Sequence, residues 1–237
     1  MVNIRSIKMK LAEIKIVSAG AVKPGLSKVI AAFQKETGYE ADVLFATAPV
    51  IAERIGSGES FDIVVAPPRV LDELNMGQLP RPERITIGRI GVGMMVRDGV
   101  PLPQIVTVED FKRCLLSAES LVYNQASTGI YLAALFDRLG IGAEVNAKST
   151  RYADFAAVLD HINKGSGREI GFGATPVIIE NKITGVQFAG SLSEEIQNYT
   201  TYAAVVAASD NTAPAQEFAR YLASSAAKSL LSAAGIA

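Results

Sequence analysis

The 237-residue sequence predicts an α/β fold with a mixed, mostly parallel sheet and helices on both faces. Short apolar, β-branched runs have the composition of buried parallel strands. Amphipathic segments separate these runs, and strands that alternate with helices in this way are typical of parallel sheets. The chain is 49% hydrophobic and 20% charged, so it can bury a substantial core.

The first half of the chain predicts strands followed in turn by helices. The strands are predicted at 14–19, 41–46 and 61–67. The first helix begins near Pro24, a residue suited to an opening helical position, and ends before Gly38. The second helix follows Thr47, a common capping residue, and the third is a short helix over 68–74.

The second half continues the alternation after a long extended stretch at residues 84–97. Thr107 is the expected cap of the next helix, with Asp110 reaching back to it. The alanine-rich C-terminal segment is predicted to be helical. Helices are further predicted over 107–118, 128–139 and 151–163, and strands over 120–124, 168–174 and 199–208.

The composition excludes several classes of function. A net charge of −1 gives no strongly basic face, so we expect no nucleic-acid partner. With one cysteine and one histidine, the chain has no internal disulfide framework and no multi-histidine metal site. We expect Cys114 to be a core residue and His161 a surface or structural one. We assign no metal, no cofactor and no catalytic residue.

The N-terminal sequence bears on the compartment. It is basic but lacks the apolar core and small-residue cleavage site of a secretory signal, and no apolar run approaches the roughly 20 residues of a membrane span. We therefore expect a cytoplasmic protein if the chain is complete as written, and a periplasmic one if a leader has been removed. We also expect a monomer.

Small or polar residues mark four predicted junctions where a strand leads into a helix. In open α/β sheets, ligands bind at the carboxyl ends of the strands, and helix N-termini there attract anions. The alternative interpretation is ordinary helix capping. The candidate binding residues at these junctions are Ser18 and Ala21, Thr47 and Ala48, then Ser127, Thr128 and Gly129, and finally Arg151 and Tyr152.

Positive charge is predicted near the same crevice. Lys23 lies at the first helix, Arg69 at the third, and Arg151 at the predicted start of the helix over 151–163. The helix dipole disfavours a cation at that position, so Arg151 is expected to have a specific partner. Arginine suits carboxylates because its rigid fork donates two parallel hydrogen bonds. The alternatives are that Lys23 is a solvated surface residue and that Arg69 is either solvated or at the rim of the crevice.

The order of these motifs resembles the molybdate-binding proteins of ABC importers. The likeness covers about residues 13–237 and rests on four stretches, each weak on its own. They are the segment 14–68, from "IKIVSAGAVKPG" to "FDIVVAPP"; "STGIYLAALFDRLG" at 127–140; "REIGFGA" at 168–174; and the closing pattern A-x-x-F-x-x-Y-L-x-S-x-x-A.

This resemblance implies a type II periplasmic-binding-protein fold, in which two lobes close on a ligand held between them. It places the strands that cross between lobes near 85–92 and 197–203. Lobe one would comprise 1–87 plus 202–237, and lobe two 88–201.

The resemblance also implies a departure at the ligand site. Molybdate binders place serines at the first two junctions and a tyrosine at the position similar to Phe172, whereas this chain has Ala21, Ala48 and Phe172. Each donor lost from a buried dianion costs roughly 1.5–3 kcal/mol. We therefore expect a small organic polycarboxylate in place of a metal oxyanion.

Two classes of function remain open. In the first, the protein is a solute-binding receptor that delivers a small anion to an ABC-importer membrane permease. In the second, it is an enzyme similar to the aconitate isomerases, which resemble this importer family and move a proton across a tricarboxylate. Such a reaction needs cationic clamps and an acid/base group in a closed site.

Overall fold

The computed structural model describes residues 13–75, 83–181, 185–207 and 212–237. The strands are β1 Glu13–Ala19, β2 Glu40–Ala46, β3 Ile63–Ala66, β4 Ile85–Arg97, β5 Ser120–Asn124, β6 Ser149–Tyr152, β7 Glu169–Ala174, β8 Val186–Ser191 and β9 Tyr199–Val206. The α-helices are α1 Lys23–Thr37, α2 Ala48–Gly56, α3 Pro68–Asn75, α4 Val108–Ser117, α5 Ser127–Arg138, α6 Gly142–Asn146, α7 Phe155–Lys164, α8 Thr175–Asn181, α9 Thr212–Leu222 and α10 Ser225–Ala233.

The strands form a mixed sheet in the order β2-β1-β3-β9-β4-β7-β5-β6, with β8 paired to β4. Parallel pairs lie toward both ends, where β1 joins β2 and β3, and β5 joins β6 and β7. The central pairs are antiparallel, with β9 between β3 and β4. The predicted α/β class is confirmed.

The long strand β4 connects the two groups of parallel strands. Its first half, from Ile85 to Gly91, pairs with β9, while its second half pairs with β7 and β8. Gln197 fixes the point of transition, because its side chain accepts a hydrogen bond from Val92 N (2.7 Å) and donates one to Val92 O (3.1 Å). It also donates to Leu192 O (3.2 Å).

Buried apolar residues gather in separate clusters. The largest draws on β1, β3, β9 and the helices α1, α9 and α10, and Phe33 lies at its centre against Phe218 and Tyr221. A second cluster contains Phe172 and the apolar faces of α4 and α5. A smaller third cluster lies beneath α7 and α8. Apolar burial on this scale is the main stabilising contribution to the fold.

Local signals in the sequence are confirmed at several boundaries. Gly38 ends α1 with φ 78°, a left-handed conformation that glycine adopts without strain. Thr107 and Asp110 form a reciprocal capping box at the start of α4. Cys114, expected in the core, is half-buried on the same helix.

One predicted helix start is wrong, and it concerns Arg151. Residues 149–152 form strand β6 beside β5, so Arg151 lies on a strand and the following helix begins only at Phe155. Asp154 sets that start, because its carboxylate accepts a hydrogen bond from Ala157 N at 2.9 Å. The helix dipole therefore gives no reason for Arg151 to have a specific partner.

The sequence patterns do not predict α6, α8 or β8, and they indicate one helical segment where the structure has α9 and α10. Ser224 separates those two helices and caps α10. The end of the strand predicted at 199–208 and the first twelve residues of lobe one lie outside the described residues. Within the described ranges, no helix has the length and apolar composition needed to cross a membrane.

Candidate functional site

Three of the four predicted junctions lie at the carboxyl ends of parallel strands, and the fourth coincides with β6 itself. In the first group, Ala19 of β1 pairs with Ala46 of β2, so both strands end at the same edge. In the second group, Asn124 of β5 pairs with Tyr152 of β6 in the same way. The residues that follow these strands are therefore neighbours within each group, as a ligand crevice of an α/β sheet requires.

Three of the helices that begin at this edge lack side-chain caps. Helices α1, α2 and α5 follow Val22, Thr47 and Ala126, and none of these three residues caps its helix through its side chain. Helix α7, which also begins at this edge, after β6, is capped by Asp154. Helices α4 and α10 are capped by Thr107 and Ser224. Uncapped N–H groups carry the positive end of the helix dipole and attract anions.

The capping interpretation of the site residues is therefore wrong for α2 and α5. Thr47 occupies the N-cap position in an extended conformation, but its hydroxyl does not bond to the helix. Ser127 and Thr128 lie inside the first turn of α5, after the N-cap residue Ala126. Both hydroxyls are thus at the helix start without serving as its cap.

Small residues allow close approach at the same places. Ala21 lies in a 3-10 turn, Gly20–Val22, that leads into α1, and Ala48 is the first residue of α2. Gly129 is buried where α5 meets the end of β5, and a Cβ there would lie 1.7 Å from the Asn124 carbonyl oxygen. Asn124 itself turns the chain toward α5 by accepting a hydrogen bond from Ala126 N at 3.1 Å.

Tyr202 contacts the site from the centre of the sheet. It lies on β9, opposite Gly88 of β4, and only 4% of its surface is exposed. Burial raises the pKa of its phenol, and a side-chain hydrogen bond with Ser127 partly offsets that effect. The two residues lie far apart in the sequence, so no local pattern predicts that they meet.

Two of the three predicted cations have no carboxylate partner in the part of the chain that is described. The Lys23 ammonium lies 5.9 Å from the centroid of the Phe45 ring. The Arg151 guanidinium lies 5.6 Å from the centroid of the Tyr123 ring. Such cation–π contacts orient both charges without neutralising them.

Arg69 differs from these two cations. Its Nε donates to Glu73 Oε1 at 2.9 Å, one turn along α3, and 90% of its side chain is exposed. An exposed ion pair of this kind stabilises little and keeps the guanidinium on the helix surface.

Three other predicted site residues are engaged inside the protein. Ser18 is fully buried, and its hydroxyl donates to Ala19 O at 3.2 Å. The Tyr152 hydroxyl lies 2.9 Å from His161 Nδ1, so both residues form a structural pair. Phe172 is fully buried among the rings of Phe111, Tyr123 and Phe136.

Two open clefts lie away from the predicted site residues. A cavity of about 420 Å³ is found beside Cys114 and Arg168, and one of about 550 Å³ beside Gly88 and the C-terminal residues. Neither cleft is lined by a predicted site residue.

The described residues contain no cluster of three or more histidine, cysteine or acidic side chains suited to a metal ion.

Comparison with known proteins assigns the family. The model of the bacterial extracellular solute-binding proteins matches residues 14–237. The chain belongs to this family. The resemblance proposed from the sequence motifs is thus confirmed.

Solved structures agree with the fold. The periplasmic molybdate-binding protein of Azotobacter vinelandii is 18% identical, with 94% of this chain and 98% of that chain covered and a TM-score of 0.77. The sulfate-binding protein SubI of Mycobacterium tuberculosis is also 18% identical, with 95% and 86% covered and a TM-score of 0.73. These similarities confirm the type II periplasmic-binding-protein fold of this solute-binding protein.

One relative of this chain is an enzyme. An aconitate isomerase of a Pseudomonas species is 28% identical over 229 residues, which covers 93% of this chain and 86% of the relative. Its sequence therefore aligns with the whole fold of this solute-binding protein.

Proposed function

We propose that this protein captures a small organic anion with several carboxylate groups in the crevice at the carboxyl ends of its strands. One observation carries the proposal. Helices α1, α2 and α5 all begin at this crevice with no side-chain cap. Their free N–H groups and dipoles provide a neutral cradle for an anion.

The side chains around the crevice favour a carboxylate over a metal oxyanion. Ala21 and Ala48 offer no hydroxyl, and Phe172 is packed into the core. Lys23 and Arg151 supply positive charge that no carboxylate of the described chain neutralises. The planar guanidinium of Arg151 matches a carboxylate in a bidentate geometry. The name of the relative, aconitate isomerase, is consistent with a tricarboxylate as the ligand of this protein.

The proposed contacts come from both groups of strands. Lys23 and Thr47 would bind from the first group, and Ser127, Thr128 and Arg151 from the second. Ala21, Ala48 and Gly129 would admit the ligand to the backbone. Ser18, Arg69, Tyr152 and Phe172 make other contacts in this structure, so their binding roles stay predictions.

We further propose the lobe boundaries 1–87 plus 202–237 and 88–201, with crossings near 85–92 and 197–203. Strands β4 and β9 pair along these stretches. Along the chain, the buried residues of the largest apolar cluster extend up to Ile90 and begin again at Tyr202. The buried residues of the second cluster all lie between Val92 and Ile196 in the sequence. Ligand would close the lobes by shifting the population toward a closed state.

Family membership supports a role in import. A receptor of this family would act outside the cytoplasm, in the periplasm if the cell has one, and would pass its ligand to an ABC-importer permease. Copurification of the protein with a membrane permease, in the presence of ligand, would test this partner.

Isomerase activity is a second candidate. Tyr202 is a buried phenol on β9, and burial raises the pKa of this phenol further above neutral pH. A neutral donor in a dry site can stabilise charge that develops when a proton leaves a carbon next to a carboxylate. Incubation with cis-aconitate, followed by NMR detection of the trans isomer, tests this activity against Arg151→Ala as the inactive control.

Thermal unfolding with a panel of anions tests the proposed binding function. The panel is citrate, cis-aconitate, trans-aconitate, sulfate, molybdate and tungstate. A ligand present at 100 times its dissociation constant adds roughly 2.7 kcal/mol, which raises the midpoint of a chain of this size by several degrees. A shift with the tricarboxylates supports the proposal. A shift with molybdate or tungstate alone contradicts it.

A further inference from the structure

We propose that Tyr123 is a positioning residue of the anion site and that its ring holds the Arg151 guanidinium ready for a bound carboxylate. This inference rests on the proposed function, in which Arg151 binds the ligand, and it adds a residue that the four junctions do not contain. The same ring also lies against the start of α5, so it connects the two parts of the site that the second group of strands supplies.

The strand register brings Arg151 to Tyr123. The two residues are paired across the parallel strands β5 and β6, and side chains paired in this way lie on the same face of the sheet. The Arg151 guanidinium lies over the Tyr123 ring, 5.6 Å from its centroid, where the ring quadrupole attracts a cation. Arg151 forms no ion pair among the described residues, so this contact restrains its side chain and leaves its charge available to a ligand.

The Tyr123 ring is itself held by its surroundings. It is fully buried, and it meets the rings of Phe136 and Phe172 edge to face, with centroids 6.0 and 6.5 Å away. It also lies against α5, where a Cβ at Gly129 would be 3.1 Å from Tyr123 Cδ2. A ring enclosed in this way keeps one orientation, so the face that it presents to Arg151 is also fixed.

The role belongs to the ring of Tyr123 and not to its hydroxyl. The hydroxyl is buried and has no hydrogen-bond partner among the described residues. A buried hydroxyl without a partner costs stability, so it does not help to hold the ring. Replacement by phenylalanine therefore removes no contact of the site and keeps the face of the ring against Arg151.

A restrained guanidinium favours binding because less side-chain entropy is lost when the ligand arrives. An unrestrained arginine must be ordered before it can form two parallel hydrogen bonds with a carboxylate. A contact that orders the side chain beforehand reduces this cost. The ring should therefore raise affinity by about two- to fivefold, which corresponds to a cation–π interaction at an exposed site.

Calorimetric titration with trans-aconitate and citrate tests the role of the ring. Tyr123→Phe should bind the probes as tightly as the unmodified protein does. Fluorine atoms added one by one to the ring of the Tyr123→Phe variant withdraw electron density from its face and nearly keep its shape. Affinity should then fall stepwise, by about two- to fivefold in total. In the Arg151→Ala background the same series should be flat, because the ring acts through Arg151.

The matched control is the same fluorination at Phe111. This ring is buried in the same apolar cluster, against Phe172, and no cation lies over it among the described residues. Its fluorination should leave affinity unchanged, since a ring that only fills the core does not depend on the electron density of its face.

Three results would overturn the role of Tyr123 alone. They are a flat series at position 123, an equal fall in the series at Phe111 or in the Arg151→Ala background, and a loss of affinity in Tyr123→Phe itself, which would assign the role to the hydroxyl. Failure of the unmodified protein to bind either probe would overturn the proposed function and this inference with it.

Discussion

Gly129 lies so close to Asn124 that a Cβ at position 129 would fall 1.7 Å from the Asn124 carbonyl oxygen. The start of α5 is therefore pressed against the end of β5, backbone to backbone. This contact places Ser127 and Thr128 at the edge of the sheet, where the proposed ligand binds.

Gly129→Ala should destabilise the protein. The new methyl group meets backbone that cannot rotate away, and overpacking of this kind costs about 1–3 kcal/mol or more. Chemical denaturation measures the loss, and the displaced helix should also weaken ligand binding. Gly56→Ala is the control, because a Cβ at Gly56 in α2 meets nothing within 4 Å. Unchanged stability of Gly129→Ala would contradict the close approach.

Arg151→Ala should sharply reduce ligand-induced stabilisation while the fold stays intact. Arg151 is exposed at the end of β6 and its charge has no acidic partner among the described residues, so its removal costs little in the free protein. Losing a charge-assisted contact should weaken binding by roughly 1.5–3 kcal/mol, or about ten- to a hundredfold. Calorimetric titration measures this change.

The control for Arg151 is Arg168→Ala. Arg168 is an exposed arginine just before β7, at the end of that strand opposite the proposed site. The same titration should show wild-type affinity for this variant. Equal affinity of Arg151→Ala and the unmodified protein would remove Arg151 from the site.

Gln197→Ala should weaken the region where the strands cross. Its amide forms three hydrogen bonds with the backbone of Val92 and Leu192, at 2.7–3.2 Å. Each of these bonds contributes roughly 0.5–1.5 kcal/mol to stability, so the free energy of unfolding should fall by about 2–4 kcal/mol. Thermal unfolding measures it, and Gln216→Ala, on the exposed face of α9, is the control. A loss no larger than the control's would show that Gln197 does not secure this crossing.

The Asp110 carboxylate should make stability depend on pH in the acid range. The Thr107 side chain, then the backbone N–H groups of Thr107 and Val106, lower the pKa of Asp110 in the folded protein. A carboxyl with a lowered folded pKa stabilises the fold above its unfolded pKa. That contribution disappears as the pH falls through the folded value.

Asp110→Asn should therefore lower stability at pH 7 relative to the unmodified protein, and the difference should shrink toward pH 3. Urea denaturation across this range measures the effect. The control is Asp98→Asn, because Asp98 lies in an exposed turn, where its carboxylate accepts a hydrogen bond only from the next residue, Gly99, among the bonds of the described residues. A difference that stays constant with pH would show that the charge of Asp110 does not stabilise the capping box.

The sequence predicts elements well where the signal is local. The apolar period of α1, its end at Gly38 and the capping box of Thr107 and Asp110 all depend on residues within one or two turns. It fails for Arg151, because the short polar strand β6 forms only by pairing with β5, and that pairing is a long-range contact. The same reason hides β8, which pairs with β4 far away in the chain.

Part of the candidate site can be predicted from the sequence, because that part depends on local signals. Strand-to-helix junctions are visible in the sequence, so Thr47, Ser127 and Thr128 could be placed at one edge of a sheet. Whether a hydroxyl caps its helix is a matter of side-chain geometry, which the residue type does not determine. The contact of Tyr202 with Ser127 joins two distant segments, and only the folded structure brings them together.

Calorimetric titration of the unmodified protein with citrate and trans-aconitate, and then with molybdate, tests the central claim most directly. We expect saturable binding of a tricarboxylate at one site per chain, with no competition from molybdate at equal concentration. Saturable binding of molybdate at one site, with no heat from either tricarboxylate, would contradict it.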